Sequence, residues 1–285
     1  MNKKQNKATP VHRFSNAGQV HFKFVTITEA SFEVPDVEHR HGYWTVFVFL
    51  EGKGRHVIDF KEVPIKPGSI HMVLPGQIHA LHGGKNFLAY ALMFTEEFFL
   101  MRDETIKLLM RLFGFMDAGE AAAFTITKEE KDFFTSLLTL IKQEYNSQNA
   151  NKGAVLLDLL SVFITKCISA LQLPQLNHQA DNSLDYIRLR NEVEHNFHTI
   201  HTVAGYAERL GLSAKQLNEI CRQNTGNTAL DFIHARIVIE AKRLLKYSDK
   251  PIKQIAYELN FTDAAHFTNF FRQRTGITPA GFKTS

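Results

Sequence analysis

Two sets of side chains in this sequence have types and spacings suited to chemistry, and the clearer set lies toward its C-terminal end. Slid along itself by fifty residues, the chain sets Arg222-Gln223-Asn224-Thr225-Gly226-Asn227-Thr228 over Arg272-Gln273-Arg274-Thr275-Gly276-Ile277-Thr278, with Phe232 over Phe282 and Leu217 over Phe267. Upstream the register slips by one residue, so that Ala207 to Ser213 faces Ala256 to Thr262. Such self-similarity marks an internal repeat. Each copy reads as an amphipathic helix, a tight turn at Gly211 or Asn260, an N-cap at Ser213 or at Thr262 or Asp263, and a second amphipathic helix closed by Thr-Gly. That is the helix-turn-helix pattern, at 202–225 and again at 252–275, and its second helix can enter the DNA major groove.

With Leu217, Ile220, Cys221 and Phe267, Phe270, Phe271 turned to a core, each second helix presents one outward set. The first is Ala214, Lys215, Asn218, Glu219 and Arg222; the second is Ala264, Ala265, Thr268, Asn269 and Arg272. Asn can pair with adenine, Lys with guanine, Glu with cytosine N4, and Ala or Thr with the thymine methyl. Arg222 and Arg272 are suited to phosphates.

The second chemical set is histidine-rich: His39 and His41, one residue apart, and His79 after Pro75-Gly76. If the two histidines face inward, strand alternation puts Tyr43, Thr45, Phe47 and Phe49 on the same side. His39, His41, Tyr43, Thr45, Phe47 and His79 are then candidates for binding a small-molecule effector, although the same residues also suit the filling of a small barrel. No residue is assigned a catalytic role.

These residues need elements to position them. From Val20 to about Phe94, short runs of Phe, Val, Ile and Tyr alternate with Gly and Pro, as in an antiparallel barrel or sandwich. Trp44 to Leu50, closed by Glu51-Gly52-Lys53-Gly54 and restarting at Arg55 to Phe60, reads as a hairpin, and Lys66-Pro67-Gly68 and Pro75-Gly76 mark further turns. From Glu96 to about 172 the pattern is helical, with breaks near Gly114 and between Tyr145 and Gly153. In Ala154 to Leu171, an apolar stripe of Leu156, Leu160, Phe163, Cys167 and Leu171 either packs on its own barrel or forms a homodimer seam; both readings stay open. A polar linker is expected at 173–182, and Ala229 to Lys246 reads as one stiff connector helix with Phe232, Ile233, Ile237, Ala241, Leu244 and Leu245 as its core face.

The composition sets bounds on function. A chain of 285 residues favours two domains, and 44% hydrophobic residues exclude general disorder, leaving only the Lys-rich arm Met1–Pro10 as a mobile candidate. The net charge of +4 is uneven: residues 1–182 carry 19 basic and 19 acidic side chains, residues 183–285 carry 14 and 10, so the excess falls on the repeat. No uninterrupted apolar run reaches the roughly 18 residues of a membrane span, and no signal core follows Met1, so a cytoplasmic protein without membrane contact is expected. Cys167 and Cys221 form no CxxC motif and read as small core residues.

Residues Val193 to Phe282 resemble the AraC/XylS family of bacterial transcription regulators. The resemblance rests on Ala235-Arg236 to Ala241-Lys242-Arg243-Leu244-Leu245, Pro251-Ile252-Lys253-Gln254-Ile255-Ala256, Phe261 through His266-Phe267 to Phe270-Phe271-Arg272, and Thr275-Gly276-Ile277-Thr278-Pro279-Ala280-Gly281-Phe282. It implies binding to double-stranded promoter DNA, most often as an activator that recruits RNA polymerase. Cys221 stands where a large aromatic is typical, Asn260 replaces the usual turn glycine, and Glu219 adds a charge that repels phosphate unless it meets a cytosine.

The strand region resembles the cupin-like barrel that many members carry as an effector domain, marked by His39-Arg40-His41 and Pro75-Gly76-Gln77-Ile78-His79. Metal-binding cupins add a glutamate where this chain has Thr45, so neither a metal nor a cofactor is expected.

The expected architecture is α+β and multidomain. Residues 1–172 form a cupin-like sensor and dimerisation domain, with the barrel at about 20–95 and helices at about 96–172. Residues 183–285 form an all-α DNA-binding domain whose two helix-turn-helix units are joined by the long helix. The rival readings are a metal-dependent cupin enzyme fused to a DNA-binding domain, and a ligand-independent regulator whose barrel only dimerises.

Overall fold

The structure is a computed structural model that describes residues 11–12, 21–32, 37–99, 105, 108, 123–171 and 183–284. The arm before Val11, the break near Gly114 and the linker at 173–182 lie outside the described residues. Two compact units result, one within Pro10–Leu176 and one within Asn177–Ser285.

The first unit holds β1 (Val11–His12), β2 (Phe22–Thr28), β3 (Arg40–His41), β4 (Trp44–Glu51), β5 (Gly54–Ile58), β6 (Lys61–Ile65), β7 (Ser69–Val73), β8 (His79–Gly83), β9 (Leu88–Phe94) and β10 (Ala123–Thr125). Its helices are α1 (Glu96–Phe99), α2 (Lys128–Tyr145) and α3 (Lys152–Ala170). One sheet has the order β10-β7-β4-β9-β2 and the other β6-β5-β8, while β1 runs parallel to β3. Phe47, Phe49, Val73, Ala89 and Ala91 of the larger sheet share a core with Ile58, Ile65 and Leu81 of the smaller one, so the two sheets face each other. β4 is buried on both faces, with Trp44, Val46 and Val48 on one and Thr45, Phe47 and Phe49 on the other. A doubly buried strand reads as an unbroken apolar run.

The hairpin expected at Glu51-Gly52-Lys53-Gly54 does not form. Both edges of β4 are occupied, by β7 and by β9, and the chain instead crosses to the smaller sheet, where β5 pairs with β6 and β8. Gly52, at φ 84°, makes the crossing. Gly54 allows the landing, because a Cβ there would lie 2.2 Å from the His82 carbonyl oxygen. The true hairpin turn is Asp59-Phe60, with Asp59 in the left-handed region at φ 51°.

α2 starts with a capping box between Thr127 and Glu130 and packs on α3, where the Phe134 and Phe163 rings meet at 5.3 Å. Leu156, Leu160, Phe163 and Cys167 are fully buried within the unit and Leu171 is half-buried, so this stripe packs on its own domain. By length and composition α3 could cross a membrane, but its Leu156, Leu157, Ile164 and Ile168 are also buried inside the fold.

The second unit is helical: α4 (Ser183–Asn196), α5 (Val203–Leu210), α6 (Ala214–Thr225), α7 (Ala229–Tyr247), α8 (Ile252–Glu258), α9 (Ala264–Thr275) and α10 (Pro279–Thr284). α7 packs against all the other helices of the unit, placing Ile233, Ile237 and Ala241 among Leu189, Tyr206, Leu217, Ile255 and Phe267 in one core. The whole is an α+β protein, a β-sheet unit followed by a helical one.

Candidate nucleic-acid interface and effector site

The two repeats fold into the same device. In the first, Gly211 (φ 67°) ends α5, the Leu212 N–H donates to the Ala207 carbonyl at 2.9 Å, and Ser213 and Gln216 form a capping box that starts α6. In the second, Asn260 takes the same left-handed conformation (φ 56°), and the Phe261 N–H donates to the Ala256 carbonyl, also at 2.9 Å. Asp263, not Thr262, caps α9 by accepting from the His266 N–H at 2.7 Å. α6 and α9 both end at a left-handed glycine, Gly226 and Gly276.

The outward sets separate into exposed and engaged residues. Ala214, Lys215, Glu219 and Arg222 on α6 are exposed, as are Ala265, Asn269 and Arg272 on α9, while Ala264, Thr268 and Asn218 are half-buried. Thr268 donates back to the Ala264 carbonyl at 2.7 Å. Asn218 is engaged at both ends of its amide, donating to the Ala214 carbonyl and accepting from the Ala229 N–H, each at 3.0 Å. Among the described residues no ion pair takes up Lys215, Arg222 or Arg272.

Other basic side chains are internal fasteners. Arg274 donates to Asp231 at 2.7 Å and lies 2.6 Å from His234 Nδ1, tying α9 to the first turns of α7, to which Asn218 ties α6. Burial and Arg274 push the His234 imidazole down to about 4. Arg236 donates to both oxygens of Glu194, at 2.6 and 2.8 Å, and to Glu240 at 3.2 Å, while stacking on Phe197 at 3.8 Å. Burial opposes its charge, but the two carboxylates hold the guanidinium pKa above its ordinary value.

In the β-sheet unit the candidate residues meet around a buried row of imidazoles. His41 Nε2 lies 3.0 Å from His79 Nε2, with Thr45 Oγ1 3.2 Å from the same His41 nitrogen. The row continues through residues that the sequence did not single out. His79 Nδ1 is 3.1 Å from His56 Nε2, and His56 Nδ1 is 3.2 Å from His71 Nδ1. All four rings and Thr45 are buried. Tyr43 stacks on His41 with ring centres 4.3 Å apart, Phe47 meets His56 edge-on at 5.0 Å, and the half-buried His39 ring lies 4.3 Å from that of His79. Six sequence candidates are thus together, with His56 and His71 added.

One contact sets the proton position on His41. His41 Nδ1 lies 2.7 Å from the Tyr43 carbonyl oxygen, which can only accept, so this nitrogen carries hydrogen and the Nε2 of the neutral ring is bare. That bare nitrogen has two donors in reach, the Thr45 hydroxyl and His79 Nε2; with His79 Nε2–H donating to it, His56 Nε2–H donates to His79 Nδ1 and His71 Nδ1–H to His56 Nδ1. Burial, followed by the neighbouring imidazoles with His71 first, holds His56 well below the usual histidine range, and burial pushes His71 down to about 4. Burial also raises the Tyr43 phenol. Among the described residues no three His, Cys, Asp or Glu side chains converge as metal ligands.

A sequence profile described as a helix-turn-helix domain matches residues 206–285, and one described as an AraC-like ligand binding domain matches residues 27–126. The chain belongs to the AraC family. It has the build of an AraC-type transcription regulator, with a ligand-binding N-terminal domain and a helix-turn-helix DNA-binding domain.

This AraC-family chain is 22% identical over 250 residues to the HTH-type transcriptional activator RhaS of Mannheimia succiniciproducens, covering 85% of the chain and 87% of the relative. It is 34% identical to RhaS of Salmonella paratyphi B over 73 residues, 26% of each. Among solved structures, it is similar to ToxT from Vibrio cholerae (TM-score 0.41, 13% identity, 92% of this chain and 97% of that one). It is also similar to the C-terminal domain of the response regulator yesN from Fusobacterium nucleatum (TM-score 0.33, 24% identity, 35% and 98%).

Proposed function

We propose that this AraC-family chain is an activator that reads a promoter site with α6 and α9 in successive major grooves, while the β-sheet unit receives a small-molecule effector among His39, His41, Tyr43, Thr45, Phe47 and His79. Lys215 and Glu219 on α6 and Ala265 and Asn269 on α9 face base edges, and Arg222 and Arg272 hold phosphates. Asn218 serves the fold, since its amide is engaged between α6 and α7. The observation that carries the reading is the identical build of the two units, each with a left-handed turn, a side-chain cap and a left-handed glycine end.

Activation proceeds by recruiting RNA polymerase to the promoter. The chain acts in the cytoplasm and carries out no reaction of its own. It pairs as a homodimer through the outer face of α2 and α3, where Phe133, Leu140 and Val162 are exposed. Selection of binding sites from random duplexes by the fragment from Ser183 onward tests the DNA reading. A two-part consensus with its halves one helical turn apart is expected, and equal recovery of all sequences refutes it.

A further inference from the structure

The imidazole row has a proton inventory fixed by its geometry. Each ring-to-ring contact, His41 to His79, His79 to His56 and His56 to His71, needs one hydrogen, because two bare nitrogens or two N–H groups repel at 3.0 to 3.2 Å. The Tyr43 carbonyl requires a further hydrogen on His41 Nδ1. Only His71 Nε2 is left to vary. The row therefore holds four protons when neutral and five when singly charged, and a sixth breaks a bond between rings.

The fifth proton can travel. Placed on His71 Nε2, it makes that ring an imidazolium. If the His71 Nδ1 hydrogen then crosses to His56 Nδ1, one N–H bond breaks and another forms over the same contact, and the charge moves to His56. Two further transfers, His56 Nε2 to His79 Nδ1 and His79 Nε2 to His41 Nε2, bring the charge to His41 with every hydrogen bond kept.

The row also crosses the core. His71 lies on β7 of the larger sheet, His56 and His79 lie on β5 and β8 of the smaller one, and His41 on β3 leads back to Thr45 on β4. The titratable groups that face it are Tyr43 stacked on His41, His39 beside His79, and His82, whose charge is felt at His56. Phe47 and Phe49 line it from β4. Asp59 binds Gln77 and the Ile78 N–H just ahead of β8.

We propose that the His41–His79–His56–His71 row is a one-proton relay that makes the effector barrel responsive to acidification. A charge admitted to this aromatic interior acts on both sheets at once, because the row is the polar tie between them. The regulatory consequence rests on the barrel being the sensor of the DNA-binding unit, as proposed above.

The test is imidazole 15N NMR of the full chain, labelled at histidine, from pH 7.5 to 3.5. At high pH, His41 and His71 are expected as Nδ1–H forms and His79 and His56 as Nε2–H forms; on acidification the four rings move with one midpoint and take up one proton together. Separate midpoints, or an Nδ1–H form of His79 at high pH, overturn the relay, and this reading needs no variant. For the switch, a duplex selected from random oligonucleotides is bound at pH 7.5 and 4. The affinity of the wild type is expected to change by about twofold, and that of His71→Asn, which lacks the variable site, to stay level. An unchanged wild-type affinity, or the same response in His71→Asn, overturns the switch. Loss of sequence preference at both pH values would instead count against the regulator reading.

Discussion

The side-chain oxygen of Asn218 accepts the backbone N–H of Ala229 at 3.0 Å, joining the first reading helix to the start of the connector. The corresponding positions of the second repeat are Thr268 and Pro279. Proline has no N–H to offer, and Thr268 bonds within its own helix. The two repeats thus differ together at both ends of one contact, which explains why an asparagine stands in the first copy.

Asn218→Ala should therefore act on stability. The loss of one accepted N–H and one donated bond costs about 1 to 2 kcal/mol, read as a shift in the urea midpoint of the helical unit. Specific and random DNA should weaken alike. A relaxed base preference at one position would return Asn218 to the reading face.

Asn269→Ala and Arg272→Ala should part company in a competition assay. The first loses about 1 to 3 kcal/mol of discrimination at a single base pair. The second weakens all sequences and lowers the salt slope by about one unit. Equal losses on specific and random DNA for Asn269→Ala would remove its base contact.

Arg236→Ala takes the guanidinium from Glu194, 37% exposed, and from Glu240, 6% exposed, which keeps the longer contact to Arg243 at 3.4 Å. Removing one partner of a buried ionic cluster costs about 3 to 5 kcal/mol, so chemical denaturation should show a large loss in the helical unit. A loss below about 1 kcal/mol would mean that water replaces the guanidinium.

The β-sheet unit should weaken in acid. An unfolded histidine titrates near 6.5, whereas His71 is held down to about 4 and His56 is also lowered, so below about 6.5 the unfolded chain binds more protons. Stability is then full above pH 6.5 and declines toward pH 4. Trp44, the single tryptophan, lies in this unit, and its fluorescence in urea at several pH values reads the effect. A midpoint that is flat from pH 7 to 4.5 contradicts it.

A double change, Leu140→Asp with Val162→Asp, should leave the fold intact and yield monomers in analytical ultracentrifugation, since both side chains are about half exposed at 51% and 46%. Leu160→Asp, placed on the buried stripe, should unfold the unit. A double variant that still dimerises assigns the contact elsewhere.

The DNA-binding half was legible because its signals are local: caps, left-handed turns and a fifty-residue offset all lie along the chain, and Asn260 has the conformation that its residue type suggests. The histidine row was half legible. His41 and His79 sit in a recognisable pattern, but His56 and His71 come from strands of opposite sheets, and nothing in their surrounding sequence shows that they meet. The false hairpin has the same origin, because the edges of β4 are filled by strands far along the sequence. The engagement of Asn218 with Ala229 was not legible because one flank of a helix can face either solvent or its neighbour; the paired change to Thr268 and Pro279 was the available clue.

Asn218 and Arg274 fasten the two readers to Ala229 and Asp231, two residues apart on a single helix. A protein built this way has no hinge with which to follow a changed operator. One inserted base pair between half-sites turns the second groove by about 35° and moves it along the axis by roughly 3.4 Å, so binding should tolerate substitutions within each half-site far better than a shift in their helical phase.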